Sequence, residues 1–403
     1  MGVLGKYCAE CVYEREDQER LHFQGNINGR ELLEKDKLAE EIRVSKEMPP
    51  CFFALAYNDN GPLDGSLKMM AALKQAGVSA ELHVYSAGGH GFGMRAGEKP
   101  HQTWPKRCEE WLKSEGFLTV GGKASDAGSP VTPGAKVEKL ASGFKFTEGP
   151  APDAEGNVYF TDQPNDKILK WDTDGKLTTF MEPCGRSNGL CFDKDGKLWA
   201  CADEQNQLWK IDVKSKEKTV IVKDHGGKLL NGPNDVWVTP EGGVYFTDPF
   251  YKRPYWKRGE QEQDAKGVYF LSPDGKLSRV DGDYKQPNGL IGTPDGKKLY
   301  VADIGANKTN VYDIEKDGTL KNRKTFCESG SDGMTIDEEG SIYLTRGKAV
   351  TVFDKTGKKV IVIDVPEGAT NVCFGGKDMK TLFITAGTSL YSVKTRVKGA
   401  ARQ

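Results

Sequence analysis

PDAEGNVYFTD, residues 152–162, decides the fold because the phrase returns five more times along the chain. The later copies are FDKDGKLWACAD (192–203), TPEGGVYFTD (239–248), TPDGKKLYVAD (293–303), IDEEGSIYLTR (336–346) and GKDMKTLFITA (376–386). Each places turn formers (Asp, Gly, Pro) ahead of β-branched and aromatic residues, the pattern of a turn feeding a strand. A unit of this kind cannot bury both its faces alone, so the copies must stack. Successive copies start about 40 to 54 residues apart, room for roughly four strands each. The expectation is a mainly β chain whose segment 138–396 is a six-bladed β-propeller.

A second regularity lies upstream of each copy. Eight residues before the turn glycine, or its equivalent, stands a carboxylate or an amide. The positions are Glu148, Asn188, Asn234, Asn288, Asp332 and Asn371. Four of them, in NGL, NDV, NGL and DGM, read as a turn followed by an apolar step. Equivalent places in the blades of a propeller form a ring about its axis. The offset therefore predicts a ring of oxygen-bearing side chains at one end of the central channel. Asn and Asp before Gly also shape loops through local hydrogen bonds, and that reading stays open for each residue taken singly. Two carboxylates among neutral amides suit a hard divalent cation in both ligand type and charge.

Composition bounds the partners. The 403 residues carry 57 Lys and Arg against 58 Asp and Glu, a formal charge of −1, so no net field favours nucleic acid or an acidic membrane. No apolar run approaches the roughly 18 residues of a membrane span. The start, MGVLGKYCAECVYERED, becomes charged too early for a secretory signal, which points to the cytoplasm. Nine cysteines, odd in number and scattered, read as reduced thiols; Cys8 and Cys11 lack a second pair to complete a zinc site.

The front of the chain has a different grammar. Residues 1–48 are a polar lead. Within 49–118, CFFALAY (51–57) and AELHVYS (80–86) read as strands, and GSLKMMAALKQAG (65–77) and TWPKRCEEWLKSEGF (103–117) as helices. The order is β-α-β-α, a small α/β segment. Residues 119–137, rich in Gly, Ser, Ala and Pro, read as a linker.

Six ordered motifs carry a family resemblance over about 138–396: T-E-G-P (147–150), L-N-G-P-N-D (230–235), Y-F-T-D-P (245–249), P-N-G-L (287–290), D-G-M (332–334) and N-V-C-F-G-G (371–376). This part of the chain resembles the gluconolactonase/regucalcin family, and within it the bacterial gluconolactonases. The resemblance implies one divalent metal at the channel mouth, calcium first, with magnesium, manganese or zinc as alternatives. Carried over residue by residue, its ligands are Glu148, Asn234, Asn288 and Asp332. It implies hydrolysis of a sugar lactone, with Asp332 as the base that takes the proton from the attacking water and Glu148 as a charge-balancing ligand. Asn188 is expected to hydrogen-bond substrate hydroxyls. The insert PFYKRPYWKRGEQEQDAK (249–266) is too polar for core and is expected to be a lid or a long surface loop, with Tyr251 offered to the sugar. Two rival functions stay open: an organophosphate or other ester hydrolase at the same site, and a non-catalytic calcium-binding propeller.

The front segment also carries a resemblance. G-G-H-G-F-G (88–93) resembles the C-terminal end of an α/β-hydrolase of acetyl-esterase type, with His90 at the catalytic histidine and Asn58 where the acid belongs. No Gly-x-Ser-x-Gly elbow precedes the acid strand, so the expectation is a truncated, inactive remnant.

Overall fold

The computed structural model describes residues 129–400 without interruption, and before them 12–14, 20–24, 33–34, 37–38, 44–46, 48–59, 62–89, 97 and 99–115. The chain forms two compact units, Met1–Lys123 and Ala124–Gln403. In the first, strands Cys51–Ala56 and Ala80–Tyr85 pair in parallel, joined by the helix Pro62–Ala76. Phe53 and Leu55 pack on Met69 and Leu73 of that helix, and a second helix, Trp104–Ser114, sets Trp111 and Cys108 on Phe52. The β-α-β-α order is the one read from the sequence. Asn58 Oδ1 accepts the Gly89 N–H at 2.9 Å, while His90 lies outside the described residues. Among the described residues no helix is long and apolar enough to cross a membrane, and seven cysteines are free and buried.

The second unit is a six-bladed propeller, as the repeat predicts. Its six four-stranded sheets are antiparallel meanders, each repeated phrase supplying the second strand of a blade. Four of these second strands, among them Val158–Asp162 and Val244–Asp248, are buried along their whole length, and the other two are exposed only at one end residue, Lys298 or Arg346. Such burial follows from having a blade on either side, and it explains why the phrases are apolar without alternation. Each of six hydrophobic clusters combines residues from two neighbouring blades. The core therefore lies between blades, and no blade can keep it alone.

The ring is closed by the chain itself. The sixth sheet takes three strands from the end of the sequence, Ala369–Gly375, Thr381–Ala386 and Ser389–Lys394, and its outermost strand, Glu138–Ser142, from the beginning of the unit. Before that strand, Val131 bridges Thr395, and Val131, Ala135 and Val137 pack on the last blade.

The inner strands differ from their expected reading. Asn188-Gly189 and Asn288-Gly289 are not turns: they lie inside the strands Ser187–Phe192 and Pro287–Gly292. In both strands the pairing register shifts across the dipeptide, as it does across Glu148 and next to Asn371. A β-bulge of this kind re-aims a side chain out of the sheet pattern. The glycines serve closeness. A Cβ on Gly149 would stand 2.1 Å from the Asn188 carbonyl oxygen, one on Gly189 2.5 Å from that of Asn234, and one on Gly333 2.0 Å from the Asn371 side chain. In the four blades that carry it (Gly149, Gly189, Gly289 and Gly333), this glycine packs on the ring residue of the next blade.

Gly189→Ala is expected to cost about 1–3 kcal/mol through overpacking, whereas Gly259→Ala, with nothing within 4 Å of its added carbon, is expected to be near neutral. Urea unfolding of the two variants checks this; equal midpoints would contradict the packing argument.

Candidate functional site

The inner strands and the segments just ahead of them bring Glu148, Asn288, Asp332 and Asn371 to one place, with Asp235 beside them. Glu148 of the first blade feels the charges of Asp332 on the fifth and Asp235 on the third, and the Asn371 amide of the sixth favours the charged form of both Glu148 and Asp235. Groups on blades so far apart around the ring can meet only at the axis. Threonines hold the strands in place from behind. Thr161 Oγ1 donates to the Asn188 carbonyl at 3.1 Å, Thr345 Oγ1 to that of Thr370 at 2.8 Å, and Thr370 Oγ1 to that of Thr147 at 2.7 Å, each crossing to the next blade.

The recurring strand-end aspartate aims the ring from the other side. Asp162 accepts the N–H groups of Lys145 and Phe146, Asp248 those of Asn231 and Gly232, and Asp303 those of Lys285 and Gln286. In each case the clamped backbone lies two and three residues before a ring residue: Glu148, Asn234 and Asn288.

The ring is rich in acceptors with unspent lone pairs. Asn288 Nδ2 donates to Asp332 Oδ1 at 2.8 Å and to the Tyr251 hydroxyl at 2.7 Å, which leaves Asn288 Oδ1 and Asp332 Oδ2 open. Glu148 Oε2 accepts the Gly149 N–H at 3.1 Å, and the Asn371 amide interacts with the same carboxylate. The side-chain amides of Asn188 and Asn234 have no hydrogen-bond partner among the described residues, although both residues are buried. Asp235, which follows the ring position Asn234, is a third buried carboxylate here. It caps Val236 N of its own blade and Leu290 N of the next.

The electrostatics are lopsided. Burial and then the charge of Asp332 push Glu148 well above the usual carboxylate range. Burial raises Asp332 to about 6 and Asp235 to about 7. None of the three has a salt-bridge partner among the described residues; Arg253 acts on Glu148 and Asp332 from a distance. Buried like charges without compensation are costly. A dication would remove that cost and pull these proton affinities down. Among the described residues no group of three His, Cys, Asp or Glu side chains is placed to hold a metal ion. A cation here depends on amide oxygens as well, and the side-chain oxygens of Glu148, Asn234, Asn288 and Asp332 fit a hard one.

The insert 249–266 differs from its expected reading in one respect. Trp256 is buried, and its Nε1 donates to the Asp203 carbonyl at 2.7 Å. Tyr255 donates to Asp203 Oδ2 at 2.7 Å and stacks under Arg186 at 4.8 Å. Of Tyr251, Tyr255 and Trp256, Tyr251 reaches the ring and the other two turn to Asp203. A Gly-x-Ser-x-Gly pattern does occur within the propeller, at 185–189, but it is no nucleophile elbow. Ser187 is fully buried and its Oγ donates to the Cys184 carbonyl at 2.6 Å.

Residues 146–388 match the family described as the SMP-30/Gluconolactonase/LRE-like region. A gluconolactonase of Zymomonas mobilis is 32% identical over 297 residues, covering 65% of this chain and 82% of that one. A pentonolactonase of Haloferax volcanii is 28% identical over 254 residues, covering 60% and 81%. A solved gluconolactonase structure from Xanthomonas campestris superposes with a TM-score of 0.63 at 29% identity, covering 68% and 93%.

The raised carboxylates fix a sign for pH. In the metal-free protein, Asp332, Asp235 and Asp248 keep protons up to about 6, 7 and 7, against an ordinary 3.8. Between pH 4 and 7 the folded state therefore binds more protons than the unfolded one, and stability falls as pH rises. The urea midpoint of chelator-treated protein is expected to be lower at pH 8 than at pH 5, by about 1 kcal/mol or more in stability. A higher midpoint at pH 8 would contradict this.

Proposed function

The chain belongs to the SMP-30/Gluconolactonase/LRE-like family, and from that premise we propose that it is a metal-dependent lactonase acting on sugar lactones. Its chemistry is that of a carboxylic-ester hydrolase, the class to which the gluconolactonases and the pentonolactonase similar to it belong. The observation that carries the metal dependence is the uncompensated pair Glu148 and Asp332, buried together among open amide oxygens.

Glu148, Asn234, Asn288 and Asp332 would hold one divalent cation, calcium first, with magnesium, manganese and zinc compatible with the same donors. Bound there, the cation supplies Lewis acidity to the lactone carbonyl and acidity to a water. The protein's own groups do the rest. The Asp332 carboxylate accepts the proton of the attacking water. The ring C–O bond then breaks, the proton returns to the leaving oxygen, and the product is a hydroxy acid. The free Asn188 amide takes a substrate hydroxyl, and the ring of Tyr251 offers a face to the sugar. Such polar, hydroxyl-binding groups favour a polyol lactone over an apolar phosphotriester.

In pH-stat hydrolysis of glucono-1,5-lactone and a panel of lactones, chelation is expected to abolish activity and added cation to restore it. Asp332→Ala is expected to lower kcat by about 10²–10⁴-fold. Metal-independent rates, or full activity in Asp332→Ala, would contradict the mechanism. Calcium binding without hydrolysis of any lactone would favour the non-catalytic reading.

A further inference from the structure

Asp203 breaks the pattern of the strand-end aspartates. In the first, third and fourth blades that aspartate clamps the backbone ahead of its own ring residue. The second blade assigns the task elsewhere: Asp166 Oδ1, from the first blade, accepts the N–H groups of Cys184 and Arg186, ahead of Asn188. Asp203 is thereby released. Its carboxylate, 3% exposed, accepts instead from Arg253 Nε at 2.9 Å and the Tyr255 hydroxyl at 2.7 Å, both on the third blade's insert, and from Gln163 Nε2 at 3.2 Å. Its carbonyl takes Trp256 Nε1. Three consecutive side-chain anchors of the insert other than Pro254 thus end on one residue of another blade.

What the anchored loop delivers is Tyr251. The Arg253 guanidinium lies 5.2 Å above the Tyr251 ring, and the Tyr251 hydroxyl accepts from Asn288 Nδ2. The same nitrogen donates to Asp332 Oδ1. With both its protons spent on these two oxygens, the Asn288 amide has one orientation, in which Oδ1 is the group left for the channel. We propose that Asp203 is a positioning residue: it latches the insert 249–266 as a fixed wall of the channel mouth, and through Arg253 and Tyr251 it sets the orientation of the Asn288 amide. The chain of contacts runs from the second blade through the third to the fourth and fifth. It makes the insert a part of the site's alignment and not a lid that opens at each turnover.

The activity consequence rests on the lactonase reading; the loop and cation-binding consequences do not. Asp203→Asn keeps the shape of the side chain but removes the charge that pairs with Arg253, and leaves one neutral amide oxygen for the three donors that converge on Oδ2. Limited trypsin digestion with the cut sites read by mass spectrometry, calorimetric titration with calcium, and lactone kinetics are run on the full chain. In Asp203→Asn, cleavage after Lys257 is expected to speed up about 10-fold or more while the thermal midpoint of the propeller stays close to that of the parent. Calcium affinity and kcat are expected to fall by about 10–100-fold, the range seen when groups behind a ligand are altered. Tyr251→Phe is expected to keep the loop resistant yet lose calcium affinity, which separates the latch from what it positions. Should Asp203→Asn fail to fold, Tyr255→Phe removes one of the same contacts and is expected to show the loop effect in weaker form. An insert as resistant in the Asp203 and Tyr255 variants as in the parent would overturn the latch. Unchanged calcium affinity in Tyr251→Phe would overturn the positioning role. A parent protein that hydrolyses no lactone would sink the lactonase reading alone, since digestion and titration would still decide this one.

Discussion

Six inner strands share one axis, and in four of the six blades there is no room for a Cβ at the position after the ring residue. That crowding organises the propeller. It demands glycine at 149, 189, 289 and 333, where an added carbon would meet the next blade's backbone or ring side chain at 2.9 Å or less. It is relieved by bulges in the inner strands, and the bulges turn the ring residues out of the sheet and into the channel. Threonine hydroxyls and strand-end aspartates then fix the strands against one another. The site is a by-product of closing the ring tightly, and this is why its members come from every blade.

The same closeness creates the electrostatic problem that the function exploits. Glu148, Asp235 and Asp332 are pressed together in a buried space, and burial raises the proton affinity of all three. A protein that only needed stability would put an apolar or paired group there. A protein that binds a hard cation needs carboxylates with open oxygens, and the amides around them supply further donors without adding charge. Arg253, the cation that acts on the Glu148 and Asp332 pair, is itself tied to Asp203. It is placed to stabilise the mouth without occupying the centre.

Much of this was legible in the chain. The six phrases predict six blades, and the constant offset of eight residues picks out Glu148, Asn288, Asp332 and Asn371, which the structure brings together. Periodicity works here because each blade repeats the same local solution to the same packing demand. The Asn-Gly dipeptides were harder. In sequence they look like turns, because glycine after asparagine usually means a positive φ. At 189 and 289 glycine is present for lack of a side chain, a demand set by the neighbouring blade that leaves no local mark. Asp235 leaves no local mark either: it replaces the glycine of its repeat, and only the structure shows that its carboxylate reaches the next blade. The insert's polarity hid Trp256, whose partner is a carbonyl some fifty residues earlier. Long-range pairings of irregular segments carry no periodic signature.

On the proposed reading, the ring holds one dication through Glu148, Asn234, Asn288 and Asp332. Crystals of the protein grown with manganese, examined by anomalous diffraction at the manganese edge, test it most directly. The account predicts a single strong peak on the propeller axis with those four side chains around it, and loss of that peak in Asp332→Ala. A peak elsewhere on the propeller, or an axis that remains empty at saturating manganese, would contradict it.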